Sequence, residues 1–122
     1  MYQTKIDIEK NRLYIALTGR ITAKESKKAA SQVIDDLKKL KPGFDVVTDI
    51  SDFEPVTQKE IEMLIQVHEA LIENGVNRIA RVVGSELKAT VGKIQFERAS
   101  KQTRVVAKNF DLVEDADLYL DD

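Results

Sequence analysis

The residues best equipped for chemistry in this 122-residue chain stand in one stretch, Asp49-Ile50-Ser51-Asp52-Phe53-Glu54-Pro55-Val56-Thr57. Thr57 carries a hydroxyl where a helix is expected to begin, so a phosphate placed on it would meet free backbone amides and the positive end of the helix dipole. The acids Asp49, Asp52, Glu54 and Glu60 crowd the position and oppose a modification that adds roughly −2 of charge. The same hydroxyl is a natural N-cap, worth about 1 kcal/mol, and that is the simpler reading of Thr57. Ser51 and Asp49 fall just past the end of an apolar run, where open α/β sheets place ligands. The pair also suits a turn, since short polar side chains hydrogen-bond nearby backbone amides. Phe53, Pro55 and Val56 are apolar in a segment that reads as a loop, and such residues mark contact surfaces. Val56, one position before the cap, reads as a hydrophobic staple instead.

Other candidates fall away on spacing. His68 is the single histidine. Its neighbours at helical spacing, Leu64 and Ile72, cannot ligate a metal, so it reads as a half-buried core histidine. In Gly84-Ser85-Glu86-Leu87-Lys88-Ala89-Thr90-Val91-Gly92-Lys93 seven residues separate the glycines where a phosphate loop needs four, and Ile94 stands where serine or threonine is required. No nucleophile elbow, dinucleotide fingerprint or metalloprotease helix is present. The chain lacks cysteine, which excludes disulfides, thiolate metal sites and cysteine nucleophiles. The reading is a non-enzyme without cofactor or metal.

The elements that hold these residues follow from periodicity. Lys5–Glu9 alternates with Ile6 and Ile8 to one side, and Leu13, Ile15 and Leu17 alternate before Gly19, which predicts a hairpin turning through Lys10-Asn11-Arg12. Thr22 with Glu25 is a capping box ahead of a helical stripe of Ala23, Ala30, Val33, Ile34, Leu37 and Leu40, stopped by Pro42-Gly43. Phe44–Ile50 is a buried strand. Thr57 with Glu60 opens a second helix, striped by Ile61, Leu64, Ile65, His68, Leu71 and Ile72 and ended by Asn74-Gly75. Ile79–Val83 is a further strand, Glu86–Gln102 a third helix, Thr103–Ala107 a last strand, and the tail through Leu112, Ala116, Tyr119 and Leu120 a closing helix. The order ββαβαβαβα predicts one α/β domain over residues 1–122, with a five-stranded, mostly parallel mixed sheet, an antiparallel first strand and helices on both faces.

Three stretches resemble the STAS domain family (sulfate transporter and anti-sigma-factor antagonist), including its SpoIIAA-like branch. Asn11-Arg12-Leu13-Tyr14-Ile15-Ala16-Leu17-Thr18-Gly19-Arg20 is similar to the family's second strand, and Asp45-Val46-Val47-Thr48-Asp49-Ile50-Ser51 to its third. Phe110-Asp111-Leu112-Val113-Glu114-Asp115-Ala116-Asp117-Leu118-Tyr119-Leu120 is similar to its closing helix. Members that act as phosphorylation switches carry Asp-Ser-Ser-Gly or a close variant at the start of the second helix, where a partner kinase modifies a serine. Here Asp52-Phe53-Glu54-Pro55-Val56-Thr57-Gln58 stands there without that motif, and Thr57 is the nearest hydroxyl.

The resemblance implies a small bacterial regulatory module that binds a protein partner, a sensor kinase or an anti-sigma-type regulator. The docking residues would be Ser51, Asp52, Phe53 and Thr57, with Thr57 and Ser51 as phosphorylation candidates. A net charge of −2 gives no general reason to expect nucleic acid. The charge is uneven, however: residues 44–74 carry one basic residue against eight acids, and residues 75–110 eight basic residues against two. Opposite patches of this kind steer association. Without a membrane-length apolar run, or an apolar leader core in Met1–Lys10, the expected location is the cytoplasm. Two other readings come from the residues. One is a small-ligand or lipid-binding module with a pocket lined by Val91, Ile94, Phe96 and Phe110. The other is a homodimer through the edge of the first hairpin.

Overall fold

A computed structural model describes residues 1–54, 58–83 and 107–122 of the chain. Five strands, β1 (Tyr2–Asp7), β2 (Arg12–Gly19), β3 (Asp45–Phe53), β4 (Arg78–Val82) and β5 (Ala107–Phe110), form one sheet in the order β1-β2-β3-β4-β5. β1 runs antiparallel to β2, and the remaining pairs are parallel. Helices α1 (Ala23–Leu37) and α2 (Gln58–Glu73) follow β2 and β3, and α3 (Val113–Asp121) ends the chain. The expected third helix and residues 103–106 of the expected last strand lie outside the described residues.

The two faces of the sheet are covered differently. Leu13, Ile15 and Leu17 of β2, Val46 and Ile50 of β3 and Ile79 of β4 pack with Val33 and Leu37 of α1 and Leu71 of α2. On the opposite face, Val47, Ala80 and Val82 pack against Ala116 and Leu120 of α3. This division follows from the strand order. Crossovers of one hand that always advance in the same direction leave their helices on one face, so α1 and α2 lie side by side. Among the described residues the second face is covered by α3.

The hairpin is displaced from its expected position. β1 spans Tyr2–Asp7 rather than Lys5–Glu9, and Ile8 sits in the turn, 64% exposed. Asn11 provides the reason: it takes φ 53°, and its backbone N–H donates to the Ile8 carbonyl at 3.2 Å. Asparagine tolerates this left-handed geometry, so the turn starts at Ile8. Asn11 also accepts from the Lys41 backbone N–H at 2.9 Å and donates to the Lys41 carbonyl at 3.0 Å, which ties the hairpin to the loop before β3. β1 forms an edge of the sheet and exposes Gln3 and Lys5; a lysine on an edge discourages strand addition.

Two of the helix ends seen in the sequence, the start of α1 and the end of α2, are built as their residues require. Thr22 Oγ1 accepts from the Glu25 N–H at 3.1 Å. The Thr22 backbone N–H in turn holds the Glu25 carboxyl below its ordinary value, helped by the amino terminus 3.4 Å away. The reciprocal capping box is therefore complete. Thr22→Ala is expected to lower stability by about 1 kcal/mol, read as a shifted urea midpoint with unchanged slope. At the C-terminal end of α2, the Gly75 N–H donates to the Ile72 carbonyl at 3.0 Å and the Val76 N–H to the Leu71 carbonyl at 3.0 Å. With Gly75 at φ 86° this is a Schellman motif.

Candidate functional site

β3 extends farther than its apolar run. It continues through Ser51 and Asp52 to Phe53, so Ser51 lies inside the strand with Asp49 rather than beyond its end. The pairing with β2 is irregular here: Ala16 meets Asp49, and Thr18 meets Asp52. Two steps along β2 are matched by three along β3, which is a β-bulge. An unbroken alternation from the inward Ile50 would turn Asp52 inward and Phe53 outward. The extra residue reverses this, leaving Asp52 exposed and Phe53 buried at 1% exposure.

The bulge also sets the chemistry of the strand's end. Both the backbone N–H and the hydroxyl of Ser51 donate to Asp49 Oδ1, at 3.0 and 2.7 Å. The pair does inside a strand what was expected of a turn, because the bulge gives Ser51 the local freedom to fold back on Asp49. The Glu54 N–H donates to the Gly19 carbonyl at 3.1 Å and closes the end against β2. Asp52 and Glu54 are exposed and Ser51 half-buried, so this rim offers carboxylates and a hydroxyl already bound to one. Thr57, with Pro55 and Val56, lies outside the described residues.

The placement of the predicted residues is thus split. Ser51 and Asp52 share the strand end, while the Phe53 side chain enters the core with Ile50 and Leu71 and is unavailable to a partner's surface. Among the described strands the order follows the sequence, without the reversal at which a ligand crevice forms in doubly wound sheets. His68 is buried at 5% exposure, in keeping with a core role. Among the described residues no cluster of three or more His, Asp or Glu side chains is placed to hold a metal ion, and no helix is long and apolar enough to cross a membrane.

Two features escaped the sequence reading. The first is an apolar cleft of about 60 Å³ between α1, α2 and the sheet, with Thr48 and His68 in its wall. It lies on the face opposite Phe110, whose ring packs 5.3 Å from that of Tyr119 on α3, so Phe110 lines no part of it. Val91, Ile94 and Phe96, the other residues expected to line a pocket, lie outside the described residues. The second is a charged latch holding α3. Arg12 Nη1 and Nη2 reach Asp117 Oδ1 at 3.0 Å and Asp121 Oδ1 at 2.9 Å, and the Tyr14 hydroxyl donates to Asp117 at 2.7 Å.

Arg78 completes this attachment. It pairs with Asp45 at 3.1 Å and donates to the carbonyls of Tyr119 and Leu120 at 3.2 and 2.7 Å. Carbonyls at a helix C-terminus lack intrahelical donors, so a guanidinium there both bonds them and meets the negative dipole end. Burial alone would lower the Arg12 pKa, but hydrogen bonds to Tyr14 and Asp121 overcome it and raise the value. Burial raises the Tyr14 phenol, and Asp117 adds to the rise against Arg12. A signal was available: Arg12 and Tyr14 alternate with Leu13 and Ile15 on a strand that must be covered on both faces, while Asp117 and Asp121 share a helical face.

No protein-family model matches the chain, and no curated protein does. Solved structures do. One is an anti-sigma-factor antagonist (STAS) domain protein from Planctomyces limnophilus, at TM-score 0.64 and 17% identity, covering 98% of this chain and 98% of that one. Another is the NMR structure of the protein TM1081, at TM-score 0.63 and 17% identity, covering 99% of this chain and 89% of that one. The chain has the STAS fold.

Proposed function

We propose that this STAS-fold chain is a regulatory module that works by binding a protein partner of the sensor-kinase or anti-sigma-regulator kind. Its docking surface is the rim formed by the end of β3 and the start of α2. The likeness to an anti-sigma-factor antagonist domain over nearly the whole of both chains supports the class of module. The bulge supports the place, because it turns Asp52 outward and fixes the Ser51 hydroxyl on Asp49 at the same strand end. Bulges are common beside functional sites for this reason. The partner would meet Ser51, Asp52 and Thr57, while Phe53 anchors the strand end from beneath.

The exposed acids of this rim, Asp52 and Glu54, favour a basic partner surface and oppose a phosphate on either hydroxyl. Partner binding without a phosphorylation switch is therefore the reading the rim favours. The test is quantitative affinity capture from the native host with phosphosite mapping of the bait. A kinase or sigma-factor regulator is expected with the natural chain and is lost at least tenfold with Asp52→Lys, which places a like charge opposite a basic surface. Equal recovery by both baits removes this rim as the docking surface. Phosphate on Thr57 or Ser51 would restore the switch.

A further inference from the structure

The cleft between α1, α2 and the sheet exists because α1 presents small side chains to it. Ser26, Ala29 and Ala30 line it where larger apolar residues would meet α2, and Leu64 and Val67 stand on the facing helix. Ser26, Ala29, Leu64 and Val67 are each partly exposed, so the cleft opens between the two helices. Ile15, Leu17 and Phe53 form its apolar floor. Its polar side chains are few: Thr48 on β3 and His68 on α2, both buried, and Ser26 near the opening. An apolar cleft with a few convergent polar groups is the usual form of a small-molecule site.

We propose that this cleft binds a small, uncharged, mostly apolar molecule carrying one hydrogen-bonding group, seated with that group toward Thr48 and His68. Size sets the class. A closed apolar cavity of about 150 Å³ holds a six-carbon ring, so about 60 Å³ encloses about two or three heavy atoms, and a molecule of four or five leaves its far end in the opening between the helices. Charge sets it further, because a buried wall of mainly aliphatic side chains penalises an ion. The inference rests on the cleft alone and stands independently of the docking rim.

The probe is n-butanol, titrated into the full chain and followed by backbone amide shifts in ¹H–¹⁵N spectra. Saturable shifts are expected at Ala29, Thr48, Leu64 and His68, with 1-chlorobutane binding at least fivefold more weakly because it lacks the hydroxyl. Ala30→Leu fills the cleft and is expected to weaken butanol at least tenfold. Ala29→Leu, nearer the opening, makes the same test should the first variant fail to fold. Absence of saturable shifts up to the solubility limit overturns the proposal. So do unchanged affinity in the filled variants and shifts centred on Phe110 and Tyr119. Equal affinity for the chloride overturns the hydrogen-bonding assignment.

Discussion

Phe53→Ala is expected to cost about 4 kcal/mol, within the range for truncating a buried phenylalanine. For a domain whose whole stability is on the order of 5–15 kcal/mol, that is a large share. The ring is 1% exposed and also lines the cleft, so its removal enlarges an existing void that the surrounding helices cannot readily close. The thermal midpoint should fall by more than about 10 °C, followed by circular dichroism. Phe53→Leu, which keeps most of the volume, should recover the greater part of that loss. A partner contact would behave differently: truncation would leave the midpoint in place and weaken only association. An unchanged midpoint would therefore remove Phe53 from the core.

Arg12→Ala should be the second most damaging change, at about 2–3 kcal/mol. Removing one member of a fully buried pair costs roughly 3–5 kcal/mol. The estimate lies lower here because the carboxylates of Asp117 and Asp121 are 32% and 42% exposed while Arg12 is 3% exposed. Water can rehydrate the carboxylates left behind. Arg12→Lys keeps the charge but cannot bond Asp117 and Asp121 from two separate nitrogens, so it should recover only part of the loss. Urea midpoints measure both variants, and a midpoint for Arg12→Ala equal to that of the natural chain would show that the latch carries no stability.

The latch also has a pH signature. Arg12 holds the Asp121 carboxyl below its ordinary value of 3.8, assisted by Lys10. A carboxyl depressed in the folded state contributes stability that is present above its unfolded value and lost as pH falls through the folded one. The natural chain should thus lose stability below about pH 4, and Arg12→Ala should lose less over that interval. The Tyr14 phenol, raised above 10, gives the opposite limb: its contribution is intact below pH 10 and declines as the pH climbs through the raised value.

Periodicity made most of the architecture legible. The stripe from Ala23 to Leu40 and the apolar run from Phe44 to Ile50 each announced an element that formed, although α1 stops at Leu37, short of Leu40, and β3 runs on to Phe53. Capping chemistry located the start of α1 and the end of α2, because Thr22 and Gly75 satisfy local backbone groups whatever the tertiary fold. The site was harder to read. Phe53 follows Ser51 and Asp52, a polar pair that reads as loop, and one extra residue in β3 decides which way the ring points. A bulge has no residue signature of its own here, since it arises from pairing with β2. The latch joins positions more than a hundred residues apart, so the alternation on β2 and the spacing of Asp117 and Asp121 mark its two halves separately and do not show that they meet. The cleft was hidden for another reason: Ala29 and Ala30 are ordinary helix formers, and only the position of α2 shows what they fail to fill.

The monotonic strand order bears on how the chain assembles. Every described strand pairs with the described strand next to it in sequence, so the sheet can grow outward from the hairpin by adding one strand at a time. Each addition closes only the segment since the previous strand, and the entropy of closure rises slowly with such lengths. Topologies rich in sequence-near pairings fold quickly. The contact of Arg12 with Asp117 and Asp121 is of another kind, since it joins the second strand to the last helix across most of the chain. On a ribosome, β1, β2, α1 and β3 can pair as they emerge, while Arg12 waits for partners more than a hundred residues further along the chain. Its guanidinium stays hydrated until α3 arrives, so its desolvation follows the pairing of β1, β2 and β3 instead of accompanying it.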